Sequence, residues 1–453
     1  MAAESKTLKK QLKRFSEIVL YGEKRKHRFL KNTIFGKKNG MNYFQSIEYL
    51  KGFTKSGKPV TDLSRFEGLM SALGDPQRGL SFIHVAGTNG KGSVCEYISH
   101  ALQLAGFNTG KFTSPYITFV EERIQINGKP ISREEFALYI SRAREGAEKT
   151  GCTHYSQFEI LNAAAFLCFK ARGCDYTVLE TGIGGLLDST NIITPKISVI
   201  TTVDLDHCAV LGNTPAEIAE HKAGIIKKGC PVVVAPFQYD SAAHVLKNKA
   251  DREGSAFIMP ENSHIELVSS DLSGTRFLYK GKAFKTKMCG KHQAINAAAA
   301  IETLRLLNIP EKHIEKALLT AAVPARTEQV EGWIIDGAHN PSGAGALAEL
   351  LKGIKGKKVL LTGMLTTKDW KGSLKLLIPL FDYVAAVDSF AENAVSKSEI
   401  ARFARSMGKK AAAVRDLTEG ITAAETQNAD LKVVCGSLYL CGEVRKLLIE
   451  KTK

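Results

Sequence analysis

Gly87-Thr88-Asn89-Gly90-Lys91-Gly92-Ser93 is the stretch of this 453-residue chain whose residue types and spacing speak most directly of chemistry. The glycines let backbone N–H groups turn inward around phosphate oxygens. Lys91 adds a positive charge at the β- and γ-phosphates, and the Ser93 hydroxyl can bind Mg2+. The spacing is not the common GxxxxGK[ST], because Gly92 separates Lys91 from Ser93. Glycine-rich turns also precede many helices for structural reasons alone, so the context has to decide. Here the apolar run Leu80–Ala86 comes first and a helical pattern from Lys91 to Ala105 follows. Strand, glycine-rich turn and helix in that order read as a phosphate-binding βα unit.

Other chemistry-bearing residues are less explicit. Glu159 lies in an otherwise apolar helical pattern, Phe158 to Phe169, where a lone carboxylate reads by itself as surface-facing. His207 follows Asp204 and Asp206 just after a strand expected to end at Val203, and the C-terminal edges of parallel strands are where ligands bind. Lys222 falls on an expected helix from Pro215 to Ile226, and a helical lysine alone reads as solvated. No cysteine is paired with a visible base, which argues against a thiol nucleophile.

These groups need a scaffold, and the apolar patterning supplies one. Tyr43–Leu50 and Leu63–Leu73 read as short amphipathic helices. Tyr176–Glu180, Ile197–Val203 and Pro231–Ala235 are apolar throughout and rich in Val and Ile, which suits a parallel sheet covered on both faces. Residues 264–288 alternate differently around Gly274 and Gly281 and read as a small antiparallel insert; His292–Leu307 is an alanine-rich helix. The pattern breaks around Ala321–Gly332. A second βα series then begins: Trp333–Ile335, Val359–Thr362, Tyr383–Val387, Ala411–Val414 and Val433–Cys435. The expected fold is α/β. A P-loop ATPase-like domain with a mostly parallel sheet occupies residues 41–322, and a smaller Rossmann-like domain occupies residues 323–453. A site at their junction follows from this layout.

Composition narrows the class. Hydrophobic residues at 44% and charged residues at 24% are ordinary for a globular protein and exclude collagen-like or disordered readings. Net charge is +16, but residues 1–40 hold 12 Lys/Arg against Glu4, Glu17 and Glu23, so +9 sits in a basic N-terminal extension. The remaining +7 argues against a nucleic-acid channel through the body. Nine cysteines without a CxxC pair fit a reduced, cytoplasmic setting better than a disulfide framework or zinc ribbon. No apolar stretch reaches the ~18–20 residues needed to cross a bilayer.

The motif His84-Val85-Ala86-Gly87-Thr88-Asn89-Gly90-Lys91-Gly92-Ser93 closely resembles the phosphate loop of the folylpolyglutamate synthase/dihydrofolate synthase family, within the Mur ligase superfamily. The resemblance continues through Thr113-Ser114-Pro115, Glu122-Arg123-Ile124, Asn127-Gly128, Phe158-Glu159 and Glu180-Thr181-Gly182-Ile183-Gly184-Gly185. Asp188-Ser189-Thr190-Asn191, Leu205-Asp206-His207, Leu211-Gly212, Lys222-Ala223-Gly224-Ile225, Gly290 and His292-Gln293 follow in the family's order, as do Asn296-Ala297, Pro324-Ala325-Arg326, Asp336-Gly337-Ala338-His339-Asn340-Pro341 and Gly436-Ser437-Leu438-Tyr439. Matches span roughly residues 41–445. Leu186 stands where many members have Arg, His221 where Glu is frequent, and Ala325 where Gly is frequent.

The resemblance implies ATP and two Mg2+ ions, held with Ser93, Ser114, Glu159 and His207 as metal ligands. It implies that Lys222 is carbamylated and organises the metal site. Asn296 would read the adenine edge, Arg326 and Asp336 would contact phosphate and ribose, and His339 would lie close to the phosphates. Tyr116 and Arg123 fall where the family forms its pterin-binding surface. The implied activity is ATP-dependent ligation of L-glutamate to a reduced folyl-(poly)glutamate, and also to dihydropteroate, through an acyl phosphate in a monomeric enzyme. Nucleic acid and membrane are not expected partners. Two competing readings remain: a Mur-type ligase acting on a cell-wall precursor, for which residues 1–80 leave little room for the additional domain, and a non-catalytic ATP- or nucleic-acid-binding protein.

Overall fold

A computed structural model of the protein describes residues 40–53 and 62–451; the basic extension expected over residues 1–40 lies, but for Gly40, outside the described residues. Eight strands form the first sheet. They are β1 (Phe82–Ala86), β2 (Thr109–Phe112), β3 (Ile124–Ile126), β4 (Lys129–Pro130), β5 (Tyr176–Glu180), β6 (Ile197–Ile200), β7 (Val232–Val234) and β8 (Phe257–Ile258), in the order β4-β3-β2-β5-β1-β6-β7-β8. β2, β5, β1, β6, β7 and β8 run parallel, and β3 and β4 add an antiparallel edge.

Alternate residues of these strands enter opposite cores. Ile83, Val85, Val178 and Val233 pack with the helices Lys91–Leu104 and His292–Leu306. Phe82, Phe112 and Leu179 pack with Arg133–Thr150 and Gln157–Arg172 on the other face. Each fully buried Val or Ile side chain contributes about 1.5–3 kcal/mol to holding that sandwich. The covering helices start at readable signals: Ser132 with Glu135, Ser156 with Glu159, and Thr214 with Glu217 form capping boxes, and Pro215 occupies the first turn.

β9 (Ile265–Asp271), β10 (Gly274–Tyr279) and β11 (Lys282–Thr286) make the expected antiparallel insert. The second unit carries β12 (Glu328–Val330), β13 (Trp333–Asp336), β14 (Lys358–Thr362), β15 (Tyr383–Ala386), β16 (Lys410–Ala413) and β17 (Leu431–Cys435), in the order β12-β13-β17-β14-β15-β16. Five of these are the expected parallel strands. The sixth, β12, escapes a hydrophobic reading because it is Glu-Gln-Val; it pairs antiparallel with β13 across Glu331 (φ 49°) and Gly332 (φ 74°), the two-residue turn that favours positive φ at both centres. Ala321 closes the core of the first unit and Ala325 enters that of the second.

Some boundaries move for local reasons. The strand expected to reach Val203 stops at Ile200, because Thr201 and Thr202 turn aside to the glycine-rich loop: Thr201 Oγ1 donates to the Asn89 carbonyl at 2.7 Å, and Thr88 N–H donates to the Thr202 carbonyl at 2.8 Å. The Lys222 helix ends at Ala223 rather than Ile226. All nine cysteines are free thiols. Among the described residues no helix is long and apolar enough to cross a membrane.

Candidate active site

β1 delivers the glycine-rich loop at its C-terminal end, in the middle of the sheet. Gly87 has φ 151°, and a Cβ there would sit 1.7 Å from Thr201 Oγ1; Gly90 has φ 88°, and its Cβ would meet Asn296 Oδ1 at 2.2 Å. Close approach and backbone conformation together require glycine at both positions. Gly90 opens the helix Lys91–Leu104 with no side-chain cap, so the first-turn amides and the positive end of the helix dipole face the cleft. Lys91 Nζ folds back over the loop, donating to the carbonyls of Gly87 (3.0 Å) and Thr88 (3.3 Å). That is where phosphate oxygens would take it over.

β5, the neighbour of β1, ends in Glu180, which is 4% exposed. Its Oε2 accepts the Ser114 N–H at 3.1 Å. Burial raises its pKa, against the opposing pull of Lys91, the Ser114 amide, Arg326 and Arg123. A buried carboxylate beside the loop, ringed by cations, is the hard anionic oxygen that Mg2+ prefers. The sequence reading assigned that role to Glu159, and the geometry corrects it. Both Glu159 oxygens are taken by Arg65, at 2.8–3.0 Å, and Oε2 also accepts Ser156 N–H (2.7 Å) and Oγ–H (2.8 Å). Glu159 is a helix cap and ion-pair partner with no place in the cleft wall. The signal that finds Glu180 is a carboxylate ending an apolar strand next to the phosphate-loop strand.

The turn after β6 adds Asp206 and His207. His207 takes φ 53°, and its ring Nε2 lies 3.9 Å from Asp206 Oδ2. Burial lowers the His207 pKa, opposed by Asp206 and assisted by Lys368, Lys91 and Lys222, so the imidazole is neutral and its lone pair is available to a metal. Asp206 is held by Lys368 of the second unit, whose Nζ donates to Oδ1 at 2.9 Å. Burial alone would raise the Asp206 pKa, but that hydrogen bond and the nearby cations leave it lowered. Lys222 is 2% exposed and lines the cleft, where burial first and Lys91 second bring its pKa down to about 7.

The second unit closes the cleft with Arg326, His339 and Leu438. His339 Nδ1 lies 2.8 Å from the Gly337 carbonyl, which only accepts, so Nδ1 carries the hydrogen and Nε2 keeps its lone pair; burial also lowers this pKa. The cleft brings together Gly87 to Gly92, Ser114, His207, Lys222, Arg326 and His339 around a volume of about 140 Å³. Other expected residues stand behind the wall. The Ser93 hydroxyl accepts Gln293 Nε2 at 3.3 Å, and Asn296 packs on Gly90 while donating to Gln293 Oε1 at 3.3 Å. Asp336 braces the Arg326 loop instead of facing the cleft, with Oδ2 accepting Thr327 N–H (2.8 Å) and Oγ1–H (2.9 Å) and Oδ1 accepting Ala338 N–H (2.9 Å).

Tyr116 and Arg123 lie beside the cleft. The Arg123 guanidinium sits 5.5 Å from the Tyr116 ring centroid, and its buried Nε and Nη1 have no hydrogen-bond partner among the described residues. A buried guanidinium with two unanswered donors is a receptor for a carboxylate or another acceptor. Among the described residues no group of three or more His, Cys, Asp or Glu side chains converges as a metal cage. A larger cavity, about 550 Å³, opens where β1 begins, between Glu67, Arg78 and Ile193. None of the residues from Gly87 to Ser93 lines it, so the smaller cleft is the candidate site.

The chain matches the Mur ligase middle domain over residues 85–304 and the C-terminal domain of dihydrofolate synthetase over residues 320–447. It is 35% identical over 436 residues to a dihydrofolate synthase/folylpolyglutamate synthase of Bacillus subtilis, covering 90% of this chain and 99% of that one. It is 33% identical to a folylpolyglutamate synthase of Lacticaseibacillus casei, with coverage of 90% and 99%. A structure of the Mycobacterium tuberculosis folylpolyglutamate synthase complexed with ADP superposes with a TM-score of 0.81 at 28% identity, covering 90% of this chain and 98% of that one.

Proposed function

The chain belongs to the dihydrofolate synthase/folylpolyglutamate synthase family, and from that premise we propose that it uses ATP to join L-glutamate to a folate. The acceptor is the γ-carboxylate of a reduced folyl-(poly)glutamate, with dihydropteroate as a second acceptor. The observation that carries the reading is the cleft itself: a glycine-rich phosphate loop on the first unit faces Arg326 and His339 of the second across Glu180, His207 and Lys222.

A carboxylate resists attack by an amine because oxide is a poor leaving group. Transfer of the γ-phosphoryl group to a carboxylate oxygen releases ADP and gives an acyl phosphate. The glutamate nitrogen then attacks the carbonyl carbon, the C–N bond forms, and the C–O bond breaks to release phosphate. In the first step the loop amides, the helix terminus and Lys91 stabilise charge on the transferring group, and Arg326 approaches it from the second unit. In the second, the amine must lose its proton, and we assign the neutral His339 Nε2, whose Nδ1–H is bonded to the Gly337 carbonyl, as its acceptor. Arg123 takes an acceptor carboxylate with its two unanswered N–H groups.

Ser114, Glu180 and His207, which line the cleft with Lys91, would supply oxygen and nitrogen ligands for Mg2+, with Ser93 reaching the site if its bond to Gln293 is exchanged. Bound there, Mg2+ would neutralise phosphate charge. Lys222 is the lysine we assign to carbamylation: a buried amine with a pKa of about 7 is about half unprotonated at neutral pH, and that fraction can add CO2. The cleft's volume of about 140 Å³ is below the ~300–1,000 Å³ of ordinary ligand pockets, so the units separate to admit substrates and close to exclude water from the acyl phosphate. We place their boundary at 322/323.

The test is glutamate-dependent ADP release, assayed with tetrahydrofolate and with dihydropteroate in separate reactions. Activity with either acceptor supports the reading, and the pair of results assigns one or both ligase activities. Purified protein that releases no ADP with either acceptor refutes it.

A further inference from the structure

We propose that the last helix of the second unit, Leu438–Glu450, positions the acceptor loop Tyr116–Arg123 of the first, with Gly442 and Arg445 as the positioning residues. The inference rests on the reading of that loop as the folate-side wall. The loop is internally stiff, because the Glu122 carboxylate accepts the N–H groups of Ile117 (2.9 Å), Thr118 (3.1 Å) and Phe119 (3.1 Å) in succession. It therefore moves as one piece, carrying Tyr116 at one end and Arg123 at the other. Its outer side is gripped by the second unit. Ile117 packs against the core of that unit with Cys441 and Val444. A Cβ on Gly442 would lie 1.8 Å from the Ile117 carbonyl oxygen and 2.8 Å from its carbon, so helix and loop meet backbone to backbone.

Arg445 fastens the same contact to the segment that opens the second unit. Its Nε donates to both Glu328 oxygens at 3.0 Å, and its Nη1 reaches Thr118 Oγ1 at 3.4 Å. Glu328 Oε2 in turn accepts the Ala325 N–H at 3.0 Å, immediately before the cleft residue Arg326. One guanidinium thus joins the acceptor loop, β12 and the loop that delivers Arg326. Leu438, from the same helix, lines the cleft. Rotation of the second unit would withdraw Ile117 and Thr118, and the Glu122-braced loop would carry Arg123 with them. The acceptor site is completed only when the helix is seated.

The experiment is a four-variant comparison in the full chain. Gly442→Ala inserts the wedge, Arg445→Gln cuts the tie, Arg445→Lys is the conservative rescue, and Gly345→Ala is the control, because a Cβ there finds nothing nearer than Leu376 at 3.9 Å. Alanine is the better helix former, so only the wedge should make Gly442→Ala harmful. Gly442→Ala and Arg445→Gln should raise the KM for the folate acceptor about tenfold or more, since displacements near 1 Å at a positioned site cost up to ~100-fold. The KM for ATP should stay within about twofold, Arg445→Lys should recover part of the loss, and Gly345→Ala should match the parent. Hydrogen exchange at the Ile117–Phe119 amides should quicken in the two damaging variants, because lifting the helix off the loop opens the Glu122 carboxylate that holds these amides to competing water; this readout needs no turnover. If the parent chain releases no ADP with any folate, the functional reading fails, and the exchange arm alone still decides whether the helix positions the loop. Folded Gly442→Ala or Arg445→Gln protein with parental acceptor KM and parental exchange overturns the proposal. If Gly442→Ala does not fold, Arg445→Gln decides.

Discussion

Exchanging the two carboxylates Glu159 and Glu180, one at a time, for glutamine should give opposite signatures. Glu180→Gln keeps the shape of a side chain that is 4% exposed but removes its charge. Burial dominates the raised pKa of this group, so neutralising it relieves a desolvation cost, and Tm should hold or rise slightly. Catalysis should suffer. A carboxylate about 4 Å from a cation at an effective dielectric constant near 20 is worth about 4 kcal/mol. At about 1.4 kcal/mol per decade that is a loss of roughly 10³ in kcat, accompanied by a higher Mg2+ requirement. Glu159→Gln should do the reverse. It breaks the charge of a bidentate pair whose side chains are 25% (Arg65) and 7% (Glu159) exposed. Leaving Arg65 with a neutral partner should cost about 1–3 kcal/mol and lower Tm by several degrees, with kcat of the folded protein near the parental value. Differential scanning fluorimetry and saturating-substrate ADP release, both titrated with MgCl2, measure the two effects on the same preparations. Full activity in Glu180→Gln, or an inactive Glu159→Gln at unchanged Tm, would refute the assignment of Glu180 as the ligand.

Lys91→Ala should fold normally and lower glutamate-dependent ADP release by about 10²–10³-fold, read by coupled assay; near-parental release would remove Lys91 from the transferring phosphoryl group. With the Lys222 pKa at about 7 and an ordinary value of 10.5, the unfolded chain binds more protons than the folded one between those pH values, so stability should rise with pH across that window. Urea titrations should show this rise vanish in Lys222→Met, and bicarbonate depletion should slow the parent but not an enzyme with an unmodified lysine. Since burial lowers the His339 pKa below 6.5, the acid limb of the kcat profile should fall below that pH; a limb above it would exclude the neutral His339 as proton acceptor. Lys368→Met removes the cation that holds Asp206 and leaves a mostly buried carboxylate unpaired, so Tm should fall by several degrees and the Mg2+ concentration for half-maximal activity should rise several-fold; an unchanged Mg2+ curve would show that Asp206 needs no anchor.

Much of this protein is written locally. The loop from Gly87 to Ser93 declares itself because phosphate binding by backbone amides needs only a short run of glycines between a strand and a helix. Tyr176–Glu180 is a strand over the same residues in sequence and structure, and the antiparallel insert and the five parallel strands of the second unit follow from period and turn residues. Even the role of Glu159 had a local signal, Ser156 three residues before it, the capping box that claims its carboxylate.

What the chain could not declare is which side chains meet. Glu159 and Glu180 are alike as residues; Arg65, 94 positions away from Glu159, and the seat of β5 beside β1 separate their roles. The lowered pKa of Lys222 comes from burial and from Lys91, neither of which its own helix reveals. Lys368 reaches Asp206 across 162 positions, and Gly442 leaves room for the Ile117 carbonyl because a helix from one unit lies against a loop from the other. Periodicity and spacing encode what neighbours along the chain do to one another. Desolvation, ion pairing and close backbone approach depend on distances through space, so only the packed structure decides them.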